Sequence, residues 1–258
     1  MRRAIAAILL ASAIVATSFL PAPSEGETIT LAATTTTDNS GLLAFLLPRF
    51  EAATGIKVRV VVQGTGAVLR LGQSGDVDVM LVHDPQSETA FMASGAGWIR
   101  REVMASEFLI VGPDADPAGI RGLDDADLAL RRIAEARALF ASRADDSGTH
   151  KAEQRLWRAA GVDPRSASGE WYRETGAGMG ATLNIASGLG AYALTENATW
   201  LSFGNRKGLE ALVAGDPRFI NPYGIIVVNP SRHPHVREVA ARRFVDWLTS
   251  APGQAAIA

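Results

Sequence analysis

Two hydroxyl-rich segments hold the residue types best suited to binding an anion. One is Thr34-Thr35-Thr36-Thr37-Asp38-Asn39-Ser40-Gly41; the other is Ser142-Arg143-Ala144-Asp145-Asp146-Ser147-Gly148-Thr149-His150. Each is expected to follow a strand and precede a helix, whose first N–H groups lack partners and whose dipole end is positive. Two such starts facing each other, with one arginine, can replace the hydration shell of a small tetrahedral oxyanion. Thr35 and Thr36 are the candidate ligand contacts of the first segment. Helix capping is the competing role, because threonine is an ordinary N-cap, but four in a row exceed what a cap needs. In the second segment Arg143 supplies a forked, permanently charged donor set, with Ser147 and Thr149 at the helix start. Burying a dianion without such partners is very costly. The structural alternative is an ion pair of Arg143 with Asp145 or Asp146, and both roles can hold together if the acid orients the guanidinium. Gly64-Thr65-Gly66-Ala67 is a third candidate: glycine permits close backbone approach, and Thr65 and the Ala67 N–H would point into the same crevice. Its competing reading is a plain turn. Gly176-Ala177-Gly178-Met179-Gly180 could add N–H groups or be a simple loop, and Tyr192 and Tyr223 could line a cleft or pack in a core.

Catalysis finds less support. The histidines are His83, His150, His233 and His235. Ser147 near His150 suggests a hydrolase only by adjacency, and no Gly-x-Ser-x-Gly elbow is present. His233-Pro234-His235 is too isolated for a metal site, which needs three or four ligands. No phosphate-binding lysine loop occurs. The expectation is therefore no enzyme, no catalytic residue, no metal and no cofactor, with an exported hydrolase as a remote alternative.

The elements that must position these groups read as alternating strand and helix. Thr28 to Ala33, Lys57 to Val62 and Val77 to Val82 are strand candidates, with helices over Gly41 to Ala53 and near Ala67 to Leu71. Pro48 predicts a kink or a late start in the first of these helices. This β-α-β-α-β order implies a parallel sheet with right-handed crossovers. The pattern recurs with a helix over Leu123 to Ala136, a strand over Ala138 to Ser142 ending at Arg143, helices over Lys151 to Ala160 and Ala181 to Ser187, and a short strand at Ala191 to Thr195. Phe108-Leu109-Ile110-Val111-Gly112-Pro113 and Asn221-Pro222-Tyr223-Gly224, the latter leading into the strand Ile225 to Val228, are the candidate crossovers between two lobes. A last helix, about Val236 to Leu248, is expected to bury Val239, Phe244, Trp247 and Leu248 on the first lobe. The cleft then lies at the carboxyl ends of the strands.

The 258 residues begin with Arg2-Arg3 and an apolar run from Ala4 to Leu20, broken by Pro21-Ala22-Pro23-Ser24. This is a signal-peptide pattern, short for a membrane span, with cleavage after Ala22 or Gly26. The balanced charge of −2 gives no reason to expect nucleic acid or an acidic membrane surface as partner. The chain has no cysteine, so it forms no disulfide and cannot be lipid-anchored through one. A periplasmic monomer is expected.

Several segments taken in order resemble the tungstate-binding proteins of bacterial ATP-driven oxyanion importers, from Leu31 to about Asn229. They are the threonine loop with Ser40-Gly41-Leu42-Leu43 and Leu46-Leu47-Pro48-Arg49-Phe50-Glu51; Gly64-Thr65-Gly66-Ala67; Asp76-Val77-Asp78-Val79 with His83; and Gly112-Pro113 with Asp116-Pro117-Ala118. Phe140-Ala141-Ser142-Arg143 with Asp145-Asp146-Ser147-Gly148-Thr149-His150, Trp171-Tyr172, Gly178-Met179-Gly180 with Thr182-Leu183, and Asn221-Pro222-Tyr223-Gly224 complete the series. The resemblance implies a type II periplasmic binding protein: two α/β lobes joined by two crossover segments, with the ligand in the cleft. It divides the chain into a signal peptide at 1–26, a first lobe at 27–112 plus 224–258, and a second lobe at 113–223. It implies tungstate, or molybdate, as ligand, and a membrane permease with its ATPase as partners. The family's Thr-Thr-Thr-Ser loop matches Ala33, Thr34, Thr35 and Thr36. The glycine that the family places after the arginine is Ala144 here, so that turn is expected to avoid positive φ. Phosphate receptors of the same fold carry a similar arginine-x-Asp-x-Ser-Gly-Thr loop, and they are the alternative. In them the acid matching Asp145 accepts a hydrogen bond from protonated phosphate, and tungstate carries no such proton at neutral pH. An Asp145 turned onto Arg143 favours tungstate or molybdate; one facing the cleft favours phosphate.

Overall fold

The first apolar run becomes β1 (Thr28–Thr34), buried along almost its whole length. It belongs to a computed structural model that describes residues 27–258; the proposed signal peptide lies outside the described residues. The threonine run does not merely precede a helix but forms one, α1 (Thr35–Asn39), capped by Thr34. Gly41, with φ +78°, turns the chain into α2 (Leu42–Thr54), which continues through Pro48 and buries Leu43, Leu46 and Phe50. Then follow β2 (Lys57–Gln63), α3 (Thr65–Ser74), β3 (Val79–Val82) and α4 (Pro85–Ala93). β4 (Gly97–Pro113) is far longer than the apolar stretch at its end.

The middle of the chain forms α5 (Ala126–Glu135), β5 (Phe140–Ser142), α6 (Gly148–Ala159), β6 (Tyr172–Glu174), α7 (Met179–Leu189), β7 (Ala193–Glu196), α8 (Asn197–Ser202) and β8 (Leu209–Val213). β9 (Ile220–Val228), α9 (Glu238–Leu248) and α10 (Ala251–Ile257) close the chain. Among the described residues, no helix is long and apolar enough to cross a membrane.

The main sheet runs β2-β1-β3-β9-β4-β7, with β8 also on β4. It is not wholly parallel. β1 pairs in parallel with β2 and β3, but β9 is antiparallel to β3 and to β4. The expected crossover Asn221-Pro222-Tyr223-Gly224 is itself strand, entering from the opposite end and filling the place between β3 and β4. β4 pairs with β9 from Gly97 to Glu107, then with β7 and β8 from Phe108 to Pro113. The exchange of partners therefore falls before residue 112, where the sequence set the end of the first lobe.

Two bodies of core flank this exchange. One gathers Ile29, Leu31, Phe50, Ile225 and Phe244; the other gathers Ile133, Phe140, Trp157, Tyr172 and Tyr192. α9 packs on the first body through Ala240, Ala241, Phe244, Val245 and Leu248. Val239, expected inside, is 65% exposed because the helix begins at Glu238 and its inward stripe starts one residue later. Trp247 is partly buried against the same core, and Ile257 of α10 joins it.

Candidate functional site

The strand ends place the candidate residues together. β1 delivers Thr35 and Thr36, β2 delivers Gly64 and Thr65, and β5 delivers Arg143. Arg143 is only 2% exposed. Its Nη1 donates to Thr36 Oγ1 at 3.3 Å and to Thr149 Oγ1 at 3.4 Å, and its Nη2 donates to Thr35 Oγ1 at 3.5 Å. The guanidinium thus joins hydroxyls from both bodies of the fold. Each of these hydroxyls accepts from the arginine and keeps its own proton to donate.

Asp145 is turned onto its own loop. Its Oδ2 accepts from Arg143 Nε at 3.1 Å and Nη2 at 2.6 Å, and its Oδ1 accepts from the Ser147 N–H at 3.2 Å. Ser147 caps α6, accepting from the His150 N–H at 3.2 Å. Capping uses a lone pair, so its hydroxyl proton stays available.

The start of α3 abuts this loop. A side chain at Gly64 would lie 3.7 Å from the Asp145 carbonyl, and one at Gly66 would strike the Asp146 carboxylate. Thr65 is fully buried, and its Oγ1 has no hydrogen-bond partner. Such an orphan is costly unless something occupies it. Gly64 provides no side-chain cap, and the first-turn N–H groups of α3 have no intrahelical acceptor. Ala67 is different: its side chain lines an outer groove with Val61, Gln63 and Arg70, so only its N–H belongs to the helix start.

The remaining candidates brace the site. The Ala177 N–H donates to the Arg143 carbonyl at 3.2 Å, and the Thr175 hydroxyl to the Ser142 carbonyl at 3.0 Å. The glycine-rich segment therefore anchors the arginine's backbone. Tyr192 is a core residue whose hydroxyl donates to Asp116 at 2.8 Å and accepts from the Ala118 N–H at 2.9 Å. Tyr223 donates to Glu196 at 2.6 Å and stacks on His83 at 4.7 Å. Asn221 Nδ2 also donates to Glu196, at 2.9 Å, and Ser106 to the same carboxylate at 3.2 Å. This buried network ties β3, β4, β7 and β9 together where β4 changes partners. Glu196 and Ser106 had no signal in the sequence, since neither sits in a motif of its own.

Ala144 does take positive φ, at +48°, as does Asp146 at +57°. The Asp145 bonds to Arg143 and Ser147 fix the turn and impose the conformation. A non-glycine residue in this region costs about 1–2 kcal/mol, and glycine returns about 0.4–1 kcal/mol of that through its freer unfolded chain. Ala144→Gly is expected to stabilise the fold by roughly 0.5–1 kcal/mol. Urea unfolding should show a higher midpoint at unchanged slope; an unchanged or lower midpoint would refute the strain.

Beneath the loop, Glu153 of α6 is buried. Ser142 Oγ donates to it at 2.8 Å, Tyr172 Oη at 2.7 Å and Trp157 Nε1 at 3.2 Å. Burial raises its carboxyl to about 7, against the pull of these donors. The folded state then keeps a proton that the unfolded chain releases near its ordinary 4.5, so stability declines as pH rises through that window to about 7. Glu153→Gln mimics the protonated form, with Ser142 free to turn and accept. It should remove the decline and add on the order of 2 kcal/mol at pH 8. Equal pH dependence of wild type and variant between pH 5 and 8 would rule this out.

Residues 21–252 match the model of a PBP superfamily domain. The chain is 45% identical over 233 residues to a putative ABC transporter anion-binding protein of Haloferax volcanii, covering 88% of this chain and 67% of that one. It is 41% identical over 231 residues to the tungstate-binding protein TupA of Peptoclostridium acidaminophilum, covering 89% and 80%. Among solved structures, the tungstate ABC transporter protein of Geobacter sulfurreducens superposes with a TM-score of 0.82 at 43% identity, covering 91% of this chain and 99% of that one.

Proposed function

The chain belongs to the PBP superfamily and, within it, to the family of tungstate-binding ABC-transporter receptors, and on that premise we propose that its cleft captures tungstate, with molybdate as the near-isosteric second ligand. The observation that carries this reading is Arg143, buried and shared among Thr35, Thr36 and Thr149 while Asp145 is committed to its own loop. An oxyanion in this pocket meets hydroxyl protons, helix-start N–H groups and one cation, and no free carboxylate. Thr65, with its orphaned hydroxyl, and Ser147 complete the donor set, with the Ala67 N–H at the start of α3. A protonated phosphate would need an acceptor, and both oxygens of Asp145 are engaged, which argues against the phosphate alternative.

The receptor role follows from the same donors. Nothing in the site prepares a nucleophile: Ser147 caps a helix and His150 Nδ1 accepts from the Asp146 N–H at 3.2 Å. The protein acts in the periplasm as a monomer, binds the anion without a cofactor, and hands it to a permease whose ATPase supplies the energy. Calorimetric titration of ligand-stripped protein with tungstate, molybdate, sulfate and phosphate tests the reading. Tungstate is expected to bind tightly, with sulfate and phosphate silent. Phosphate binding with tungstate silent would overturn it.

A further inference from the structure

With a formal net charge of −2, the chain as a whole repels a dianion. Its cations are not spread evenly. Lys151, Arg155 and Arg158 stand at i, i+4 and i+7 on α6, on one face of the helix. Together with Arg165 they border a groove of about 320 Å³ between α6 and the start of α4. Four permanent cations face this groove against two carboxylates, Asp84 and Asp146.

Their pairing is uneven too. Arg155 is bridged to Asp84, and Lys151 lies 3.3 Å from Ser87 and 3.7 Å from Asp146. Among the described residues the Arg165 guanidinium is held only by the neutral Gln154, at 3.0 and 3.3 Å. Arg158 is exposed and has no polar side-chain partner among the described residues. These two exposed cations thus have no carboxylate ion pair among the described residues. The groove is also lined by Asp146 and His150, which flank Ser147 and Thr149 in sequence, and Asp146 lies against Gly66. The groove therefore borders the segment from Arg143 to His150 that supplies the site.

We propose that this groove is an outer anion-collecting site: Arg158 and Arg165 gather the tetrahedral dianion from solvent and speed its entry to the buried site, without touching it once bound. The inference rests on the receptor reading above. Its signature is kinetic, because a charge outside the final contacts changes association more than dissociation.

The test is stopped-flow association of tungstate with the whole protein, for wild type and for Arg158→Gln/Arg165→Gln and Arg158→Glu/Arg165→Glu. Both residues are exposed and outside the Arg143 loop, so the variants should fold, and their melting curves check it. The neutral pair should lower the association rate about 3- to 10-fold at low salt and the reversed pair more, within the 10- to 1,000-fold range of electrostatic steering. The dissociation rate should not change, and the differences should vanish near 1 M salt, where the screening length falls to about 3 Å. Equal association rates and equal salt slopes for all three proteins would overturn the proposal, as would an effect confined to dissociation. A wild type that shows no tungstate association at all overturns the receptor reading itself, a result distinct from either.

Discussion

Arg143→Ala should weaken tungstate binding by at least about 1.5–3 kcal/mol, the range for hydrogen bonds to charged groups, or roughly 10- to 150-fold. The guanidinium is buried and reaches Thr35, Thr36 and Thr149, so its loss removes the cation that joins the hydroxyls of the two bodies. Its removal also frees Asp145, whose carboxylate would then stand unpaired beside a dianion. Asp145→Asn should cost less than Arg143→Ala, because the cation stays in place, but it loses part of the loop's bonding, since an amide can accept at only one of the two oxygen positions. The double variant Arg143→Ala/Asp145→Asn should recover part of the loss, and the cycle measures the coupling. Calorimetry decides: unchanged affinity in Arg143→Ala defeats the site assignment.

Gly148→Ala should be nearly as damaging for a different reason. A methyl group there would sit 2.6 Å from His83 Cε1 and 2.9 Å from Nδ1. The His83 ring cannot retreat, since it is buried and stacked on Tyr223. Because His83 follows β3 and Gly148 opens α6, the clash falls between the two bodies, where the site residues of each must meet. Overpacking of this kind costs about 1–3 kcal/mol, which corresponds to roughly 5- to 150-fold in affinity. Gly66→Ala is the control. Its methyl would meet Asp146, but that side chain is 69% exposed and can swing into solvent. Affinity should stay within about threefold there, the effect of an ordinary surface change. Equal losses in the two variants would show that the Gly148 contact is not special.

Much of this was legible in the residues, and what was not has identifiable causes. β1, β2 and β5 are short and apolar, and each ends at a hydroxyl, glycine or arginine segment, so the strands and the site residues they deliver stood out together. β4 did not stand out. Its first half carries Arg100, Arg101, Glu102 and Glu107 on exposed or half-buried positions, which hides a strand that borders the fold. Its partner β9 contains Pro222, which reads as a break but sits within the strand. Ala144 shows the limit of propensity, because the ion pair of its neighbour overrides the preference of its own backbone. Glu196 was invisible because its importance lies in three donors from two other strands, Ser106 of β4 and Asn221 and Tyr223 of β9, a relation that no local pattern carries.

The place of β9 has a consequence for how the chain assembles in time. Val79 pairs with Val227, so the first sheet waits for a strand that arrives last, after the whole second body has been made. Contacts of such long sequence separation slow folding, because the loop must be closed before they reward it. Until then β3 presents an unpaired edge, the kind of surface that associates wrongly with other chains. The second body, whose strands come from one continuous stretch apart from its share of β4, is expected to gain structure first. Hydrogen exchange during refolding should protect Phe140 and Tyr192 before Val79 and Leu81.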